Sequence, residues 1–392
     1  MNPPSVSDYR WPAEWEPHAA TWLSWPHNEA SWPGRFETVE PAYAAMVRAL
    51  AESEPVWINV CDQEMEDRAR RFLRSAGASG EIAFQHIPTN DAWCRDHGAI
   101  FLAESPELER FAAGYSHAED RSRTRQSLDD PTRDVSKSGD FGYGLNLFEN
   151  PQGRIALIAT DWRYNAWGGK YPHDLDDAVA RRMADALGVT RMAHSMVLEG
   201  GSIDGNGAGA LLTTEACLLH PNRNHDLSRE RIEAELRMGL GVREILWLGE
   251  GIAGDDTDGH IDDITRFVGE RTVVTVIELD AHDENYRPLR ENRARLADMA
   301  IEGRALEVIE LPMPPRIEFE GQRLPASYAN FYIANSKILL PGYDNQTDDR
   351  ARRILAELFP QRDVEIIDCR DLIWGLGAFH CLTQQVPAVI AT

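Results

Sequence analysis

The sequence predicts an α/β protein, because segments typical of strands alternate with segments typical of amphipathic helices along most of its 392 residues. Polar loops separate these segments, and no linker divides the chain into independent parts. No GxGxxG motif follows the first strand, which disfavours a dinucleotide-binding Rossmann domain. We therefore expect one α/β domain over residues 1–392.

In the first 36 residues, five tryptophans (Trp11, Trp15, Trp22, Trp25 and Trp32) are interspersed with Pro12, Pro17, Pro26 and Pro33. Prolines this dense rule out a long helix, so we expect an irregular segment held by buried indoles. Helical spacing then predicts helices at 37–52, 63–76, 174–187, 228–239, 286–302 and 348–358. Strands are predicted at 56–60, 84–88, 97–102, 155–160, 195–198, 209–213, 216–219, 244–248, 265–268, 272–277, 306–310, 331–334, 337–340 and 364–367.

One segment interrupts this alternation. Residues 116–140 contain almost no large apolar side chain apart from Leu128 and Val135, so they cannot contribute a core. We expect a polar surface insertion at about 104–150. Composition does not distinguish a disordered or functionless surface loop from an active-site lid or an oligomer contact.

Composition excludes several classes of protein. The formal net charge is -24, from 64 acidic and 40 basic residues, which disfavours nucleic acid and anionic membranes as partners. A negative field instead raises the local concentration of small cations. The five cysteines (Cys61, Cys94, Cys217, Cys369 and Cys381) form no CxxC motif, and no signal peptide or run of about 18 apolar residues is present. We expect a soluble cytoplasmic protein.

Five side chains of separate segments suit chemistry on a guanidinium, which is a planar cation and a poor electrophile. An enzyme must hold it flat, present a thiolate to its central carbon and protonate a departing nitrogen. Carboxylates pair with the planar N–H fork, and Asp96 and Asp262 are the candidates for this clamp. His260 lies two residues before Asp262, so in an extended segment both side chains would face one pocket.

Glu199 and Cys381 complete this set. Glu199 precedes Gly200 and Gly201, where backbone can approach closely, and it would orient His260 as the third member of a triad does. Cys381 follows a glycine-containing loop that would expose a nucleophile, and a bound cation would favour its thiolate. The acidic turn before His260 lacks the spacing of an EF-hand, and His260, Asp262 and His380 lack the spacing of a zinc site. Neither residue pattern therefore predicts a metal site.

The chain resembles the agmatine deiminase family, which also contains bacterial peptidylarginine deiminases, and the resemblance runs almost from end to end. It rests on the segments Pro12 to His18, Thr21 to Pro26, Trp93 to Gly98, Asn165 to Tyr171, Val197 to Ser202, Gly254 to Asp263, Pro325 to Asn330 and His380 to Gln385. The resemblance implies a five-bladed, pseudo-symmetric α/β propeller (the pentein fold) that uses no metal or cofactor.

The same resemblance implies roles for individual residues. Cys381 would be the nucleophile, His260 the general acid and later base, and Glu199 its orienting partner, while Asp96 and Asp262 would bind the guanidinium. Trp93 would line the substrate channel, and Asn330 would contact the head group. The reaction would pass through a tetrahedral adduct, loss of ammonia and a covalent S-alkylthiouronium that water hydrolyses.

The predicted function is hydrolysis of agmatine to N-carbamoylputrescine and ammonia, a step of putrescine biosynthesis. The alternatives are deimination of arginine, peptidyl-arginine or another alkylguanidine, a non-catalytic guanidine-binding protein, and amidinotransfer. Arg163 or an arginine of the 121–125 run would have to receive the carboxylate of free arginine. The sequence does not determine the oligomeric state, and a homo-oligomer remains open.

Three departures from the family pattern affect these expectations. Leu376, Ala378 and Phe379 interrupt the usual glycine run before the nucleophile, and Ala99 stands where proline is common. The connection from Asp96 to Asp161 is also longer than usual, because it contains the polar insertion.

Overall fold

A computed structural model describes residues 8–104, 148 and 156–389, and in them strands and helices alternate as the sequence predicts. The α/β class is therefore confirmed. The proposed insertion lies almost wholly outside the described residues. Within the described ranges, no helix is both long enough and apolar enough to cross a membrane.

Each long helix has a local cause for its bounds. The helix Gln63–Ser75 starts after Asp62, whose carboxylate accepts the Met65 N–H. Ser228 caps Arg229–Leu240, which ends at Gly241 in the left-handed conformation. The six helices of eight residues or more in the described ranges are Phe36–Ala51, Gln63–Ser75, Val179–Leu187, Arg229–Leu240, Tyr286–Asp298 and Asn345–Leu358.

Five sheets of the described residues share one plan, in which an antiparallel pair is followed by a parallel strand reached through a helix. The first sheet is formed by Thr383–Pro387, His18–Ser24, Val56–Val60 and Ile82–His86, in that order, and the second by Tyr9–Arg10, Ile100–Glu104, Leu157–Arg163 and Thr190–Val197. The third is formed by Ile203–Gly205, Ala210–Thr214 and Glu244–Leu248, and the fourth by Thr265–Phe267, Thr272–Ile277 and Glu307–Pro312. The fifth consists of Tyr332–Ile333, Lys337–Gly342 and Asp363–Asp368. Two short hairpins, Ala300–Ile301 with Arg304–Ala305 and Glu318–Phe319 with Gln322–Arg323, lie outside these sheets.

A short helical turn precedes one edge or hairpin strand of each sheet, and we call these five segments the inner turns. They are Cys94–His97, Gly200–Ser202, Ile261–Asp263, Tyr328–Asn330 and Phe379–Leu382. Each inner turn contacts the next one along the chain, and the last contacts the first. The five sheets therefore bring residues that are far apart in sequence to one ring of neighbouring turns.

Some predicted elements are wrong in detail. The N-terminal segment is not wholly irregular, since His18–Ser24 is a strand that pairs with the C-terminal strand Thr383–Pro387. The predicted strand 216–219 is the helical turn Glu215–Leu218, because the Thr214 hydroxyl accepts the Cys217 N–H and starts a helix there. The helix predicted to reach residue 302 ends at Asp298.

Four of the five N-terminal indoles are buried, as predicted, and that of Trp15 is half-buried. Trp32 stacks on Trp93, with ring centroids 5.4 Å apart. The indoles thus hold the N-terminal segment against the residues that surround the cavity described below.

The pairing of the two chain ends generates a first prediction. Val386 is fully buried in the C-terminal strand opposite Ala20, so Val386→Asp would place an unpaired carboxylate in the core. We expect the free energy of unfolding to fall by roughly 3 kcal/mol or more, measured by urea unfolding. The control is Leu279→Asp, at a side chain that is 72% exposed, which should change stability by about 0.5 kcal/mol or less. Equal unfolding midpoints for the two variants would contradict the packing of this strand.

Candidate active site

A cavity of about 690 Å³ opens beside the inner turns, and Asp96 and Cys381 line it together with Trp93 and Trp167. The predicted nucleophile and one predicted clamp therefore face the same space. Trp93 is a lining residue of this cavity, as the sequence predicts.

The inner turns bring Asp262, Asn330 and Cys381 together. Cys381 Sγ lies 3.6 Å from Asp262 Oδ2, and Asn330 Nδ2 donates a hydrogen bond to the same sulfur at 3.0 Å. The Asn330 side-chain oxygen accepts the His380 N–H at 3.0 Å, so this amide fixes the turn that carries the thiol. Asn330 thus contacts the sulfur of Cys381 directly. The sequence had predicted a contact with the head group of the substrate and not with Cys381.

His260 lies between the two candidate clamps. Its Nδ1 is 3.8 Å from Asp96 Oδ1 and 3.9 Å from Asp262 Oδ1. The expected extended path from His260 to Asp262 is wrong, because Ile261–Asp263 is a tight helical turn, yet both side chains still face one site. Burial opposes protonation of His260, but the charges of Asp96, Cys217 and Asp262 outweigh it and raise its pKa well above the usual value.

Glu199 is brought beside His260, but the two do not share a conventional hydrogen bond. One ligand-type atom each from Glu199, Cys217 and His260 lies within 4.8 Å of the others. Glu199 Oε1 accepts a hydrogen bond from Arg223 Nε at 2.7 Å, whereas Glu199 Oε2 has no hydrogen-bond partner in the described part of the chain. Glu199 therefore lies close to His260 but forms no hydrogen bond with it. Glu199 Oε2 has no other partner among the described residues and is available to the imidazole.

The two clamp carboxylates are held differently. Asp96 Oδ1 accepts the Gly201 N–H at 2.9 Å and Oδ2 accepts Trp167 Nε1 at 3.0 Å. Asp262 Oδ2 accepts His380 Nδ1 at 2.7 Å, while Asp262 Oδ1 has no hydrogen-bond partner among the described residues. Both carboxylates are thus fixed in place by donors from neighbouring elements.

The surroundings of Cys381 favour the thiol over the thiolate. Burial raises its pKa well above the usual value, and the nearby carboxyl groups of Asp262, Asp263 and Asp96 act in the same direction, against the Asn330 hydrogen bond. A cation bound between the carboxylates would oppose this effect and favour the thiolate.

Two glycines precede Cys381 in positions where a side chain would have no room. A Cβ on Gly377 would lie 2.5 Å from Trp93 Cζ3, and a Cβ on Gly375 would lie 2.5 Å from Trp32 Cε2. Between them Leu376 adopts a left-handed conformation with φ 70°, which costs a residue with a Cβ about 1–2 kcal/mol. The departure from the usual glycine run is therefore accommodated, although with local strain, and Phe379 is fully buried.

The structure also adds residues that the sequence reasoning did not single out. Arg223 pairs with Glu199, and Trp167 bonds Asp96. His380 bonds Asp262, and Glu14 bonds His380, with Nε2 and Oε2 2.9 Å apart. Trp167 and His380 lie in segments that carry the family resemblance, so those segments contained a signal, whereas no local signal identified Arg223.

Two buried groups have atoms of metal-ligand type close together: Glu199, Cys217 and His260, and Asp262, Asp263 and Cys381. The guanidinium of Arg223 already neutralises Glu199 and opposes a second cation there. Both groups belong to the site already described, and their residues suit an organic cation with planar N–H donors.

The chain is similar to one family model and to characterised proteins over nearly its whole length. The model described as Porphyromonas-type peptidyl-arginine deiminase matches residues 10–387. An agmatine deiminase of Ectopseudomonas mendocina is 33% identical, covering 98% of this chain and 97% of that protein. The Enterococcus faecalis agmatine deiminase structure has a TM-score of 0.80 with 27% identity, covering 99% of each chain. A cysteine-to-serine variant of C. jejuni agmatine deiminase with substrate bound has a TM-score of 0.77 with 27% identity, covering 96% of each chain.

The missing side chain of Gly201 generates a second prediction. A Cβ on this residue would lie 2.6 Å from His260 Nδ1, 2.8 Å from Asp96 Oδ1 and 3.0 Å from Asp262 Oδ2. Gly201→Ala should therefore displace these groups and lower kcat/KM for a guanidine substrate by about 100-fold or more. The control is Gly269→Ala, whose Cβ would meet no atom closer than 3.5 Å and should leave kcat/KM unchanged. Wild-type kinetics in Gly201→Ala would refute the packing of the three side chains around this position.

Proposed function

The chain belongs to the Porphyromonas-type peptidyl-arginine deiminase family, and from this premise we propose that it hydrolyses agmatine to N-carbamoylputrescine and ammonia. The observation that carries the proposal is the position of Cys381 next to Asp262, in a cavity that Asp96 also lines. A thiol beside two carboxylates and an imidazole suits attack on a bound guanidinium.

Asp96 and Asp262 bind the guanidinium in this proposal. Both carboxylates lie near His260 Nδ1, at 3.8 Å for Asp96 and 3.9 Å for Asp262, so a planar cation that pairs with both is held flat. The bound positive charge lowers the pKa of Cys381, so the substrate itself promotes formation of the nucleophile.

Cys381 Sγ then attacks the central guanidinium carbon and forms a tetrahedral adduct. His260, whose pKa is raised in the empty site, donates a proton to the departing nitrogen, and breakage of that C–N bond releases ammonia. The product of this half-reaction is an S-alkylthiouronium on Cys381. His260 next removes a proton from water, the water oxygen bonds to the same carbon, and breakage of the C–S bond returns the thiolate.

Glu199 orients His260 and stabilises its protonated form. Glu199, Cys217 and His260 each place one ligand-type atom within 4.8 Å of the others, while Arg223 holds Glu199 Oε1. The carboxylate is therefore restrained in direction before it acts on the imidazole, as in a catalytic triad.

Agmatine fits the cavity better than arginine does. The cavity is lined by Asp91, Asp255, Asp256 and Glu284 in addition to Asp96, a surface that favours a second positive charge on the substrate tail. Arg323, which also lines the cavity, pairs with Asp283. Arg163, a candidate partner for the α-carboxylate of arginine, is exposed on its strand and is not among the lining residues.

We propose the five-bladed α/β propeller of the pentein fold as the finer architecture. Three observations support it: the five sheets share one strand plan, the inner turns contact one another in a closed series, and the C-terminal strand pairs with an N-terminal one. A single domain over residues 1–392, an insertion at about 104–150 and a cytoplasmic location are parts of the same proposal.

The charges around Cys381 generate a third prediction. Asp262→Asn removes a negative charge beside the thiol and so lowers its pKa, which should accelerate alkylation of Cys381 by iodoacetamide at neutral pH by about tenfold. The same variant should lose deimination, because it weakens the clamp. The rate is measured by mass spectrometry on the peptide that contains Cys381, and the control is Asp226→Asn, whose side chain is 85% exposed. Slower alkylation together with slower turnover would contradict this account of the thiol.

The decisive test of the function is ammonia release from agmatine, arginine, a short arginyl peptide and methylguanidine. We expect a strong preference for agmatine, and we expect Cys381→Ala to abolish turnover while it leaves agmatine binding measurable by calorimetry. Preference for another guanidine would keep the chemistry and reject the substrate. Turnover by Cys381→Ala would refute covalent catalysis, and silence of the wild-type protein across the panel would reject deimination of these substrates.

A further inference from the structure

His380 lies between two buried carboxylates, one on each side of its ring. Its Nδ1 is 2.7 Å from Asp262 Oδ2, and its Nε2 is 2.9 Å from Glu14 Oε2. Its side chain is 2% exposed, so water does not compete for these contacts. An ionised carboxylate only accepts hydrogen bonds, so each ring nitrogen of His380 faces an acceptor.

Asp96 and Asp262 differ in a way that follows the position of His380. Burial raises the pKa of Asp96, and the charges of Asp262 and Glu199 support this shift against His260. Burial also acts to raise the pKa of Asp262, but the hydrogen bond and charge of His380 oppose it most strongly, and the pKa of Asp262 is lowered. Of the two buried carboxylates, the one that His380 contacts is thus the one whose pKa is lowered.

The other oxygen of Asp262 is left free. Asp262 Oδ1 is buried and has no hydrogen-bond partner within the described residues, although a buried carboxylate oxygen without a donor is costly. It lies 3.9 Å from His260 Nδ1, while the neighbouring Oδ2 is the oxygen that a Cβ on Gly201 would approach, at 3.0 Å. A ligand with N–H donors satisfies this oxygen without disturbing the bond to His380.

We propose that His380 is a positioning residue for guanidinium recognition: it holds Asp262 by Oδ2, so that Oδ1 is presented to the N–H groups of the substrate. The proposal rests on the function proposed above, because it assigns a guanidinium to the space beside Oδ1. His380 touches no substrate and acts only through Asp262.

Glu14 fixes the far side of the imidazole ring and is itself restrained by two arginines. Arg95 Nη2 lies 3.2 Å from Glu14 Oε2, and Arg266 Nη2 lies 3.0 Å from Glu14 Oε1. Burial opposes ionisation of Glu14, but Arg266 and His380 outweigh it and hold its pKa well below the usual value. The imidazole thus cannot rotate away from Asp262 without leaving a buried, charged carboxylate unpaired.

Other titratable or charged groups act on Asp262 from the elements packed around it, and an experiment has to separate their effects from that of His380. They are Asp96, Asp255, His260, Asp263, Arg266 and Cys381. A substitution at His380 that preserves one of its two hydrogen bonds leaves all of these groups in place.

His380→Asn and His380→Gln form the matched pair for this test. The amide nitrogen of asparagine takes the place of Nδ1 and keeps a donor to Asp262, whereas that of glutamine takes the place of Nε2 and keeps the donor to Glu14. Both remove the imidazolium and both are polar, so a general loss of stability, checked by thermal melting, affects them alike. His225→Asn, at a side chain that is 70% exposed, controls for substitution of histidine elsewhere.

The first measurement is the pH dependence of kcat/KM for agmatine. Asp262 must be ionised to bind a cation, so loss of its donor moves the acid limb of the profile to higher pH. We expect a shift of about one pH unit or more for His380→Gln, a smaller one for His380→Asn, and none for His225→Asn. If both His380 variants lower kcat/KM equally and leave the limb in place, the role is structural only and the proposal is overturned.

A second measurement does not depend on turnover. The Asp262 carboxyl resonance is followed by pH titration in protein labelled with ¹³Cγ-aspartate and is assigned by its absence in Asp262→Asn. We expect it to titrate at higher pH in His380→Gln than in the wild-type protein, and an unchanged titration would overturn the proposal. Should the wild-type protein turn over no guanidine while this shift occurs, the proposed function fails and the hold of His380 on Asp262 stands. If the wild-type protein is active and no shift occurs, the proposed function stands and the role of His380 is rejected.

Discussion

The carboxylate of Glu14 is the constraint on which much of this structure depends. It is 5% exposed and meets Arg95, Arg266, His380 and the backbone N–H of Ile333, which lie on or beside four different sheets. Buried ions are tolerated only when every partner is present, and removal of one partner leaves an uncompensated charge. One carboxylate of the N-terminal segment thus fixes that segment against the inner turns, and Arg266 extends the network through Asp204.

The sequence singled out residues that the structure brings together, but it did not single out the residues that hold them in position. Asp96, Asp262, Asn330 and Cys381 lie in short segments of distinctive residue pattern, and the structure brings these residues to neighbouring turns. The pair Glu14 and His380 joins opposite ends of the chain, and no periodicity or local motif relates residues so far apart. Arg223 was not predicted for the same reason, since an arginine beside a proline on a loop is typical of a solvated surface.

The fold can likewise be predicted where neighbouring residues determine it, and not where the partner segment is far away in the sequence. The alternation of strands and helices is local, and three of the six long helices of the described residues begin at a side-chain cap: Asp62, Ser228 and Asp344. The strand His18–Ser24 was predicted as irregular, because its pairing partner Thr383–Pro387 is supplied by the far end of the chain. The turn Glu215–Leu218 was predicted as a strand, because four residues are too few for helical periodicity to be recognised.

Burial and the charges around Cys381 raise the pKa of its thiol and so favour the form that is a weak nucleophile. The carboxyl groups around Cys381 hold it as a thiol, and repulsion between them and burial raise the pKa of Asp96 and Asp263 as well. A neutral or anionic molecule in the cavity does not lower the pKa of this thiol, so it meets a weakly nucleophilic sulfur. A planar cation reverses each of these effects at once, because it stabilises both carboxylates and the thiolate that attacks it. In the proposed reaction, the lowered pKa of Asp262 and the raised pKa of Asp96 make Asp262 the more readily ionised of the two partners of the cation.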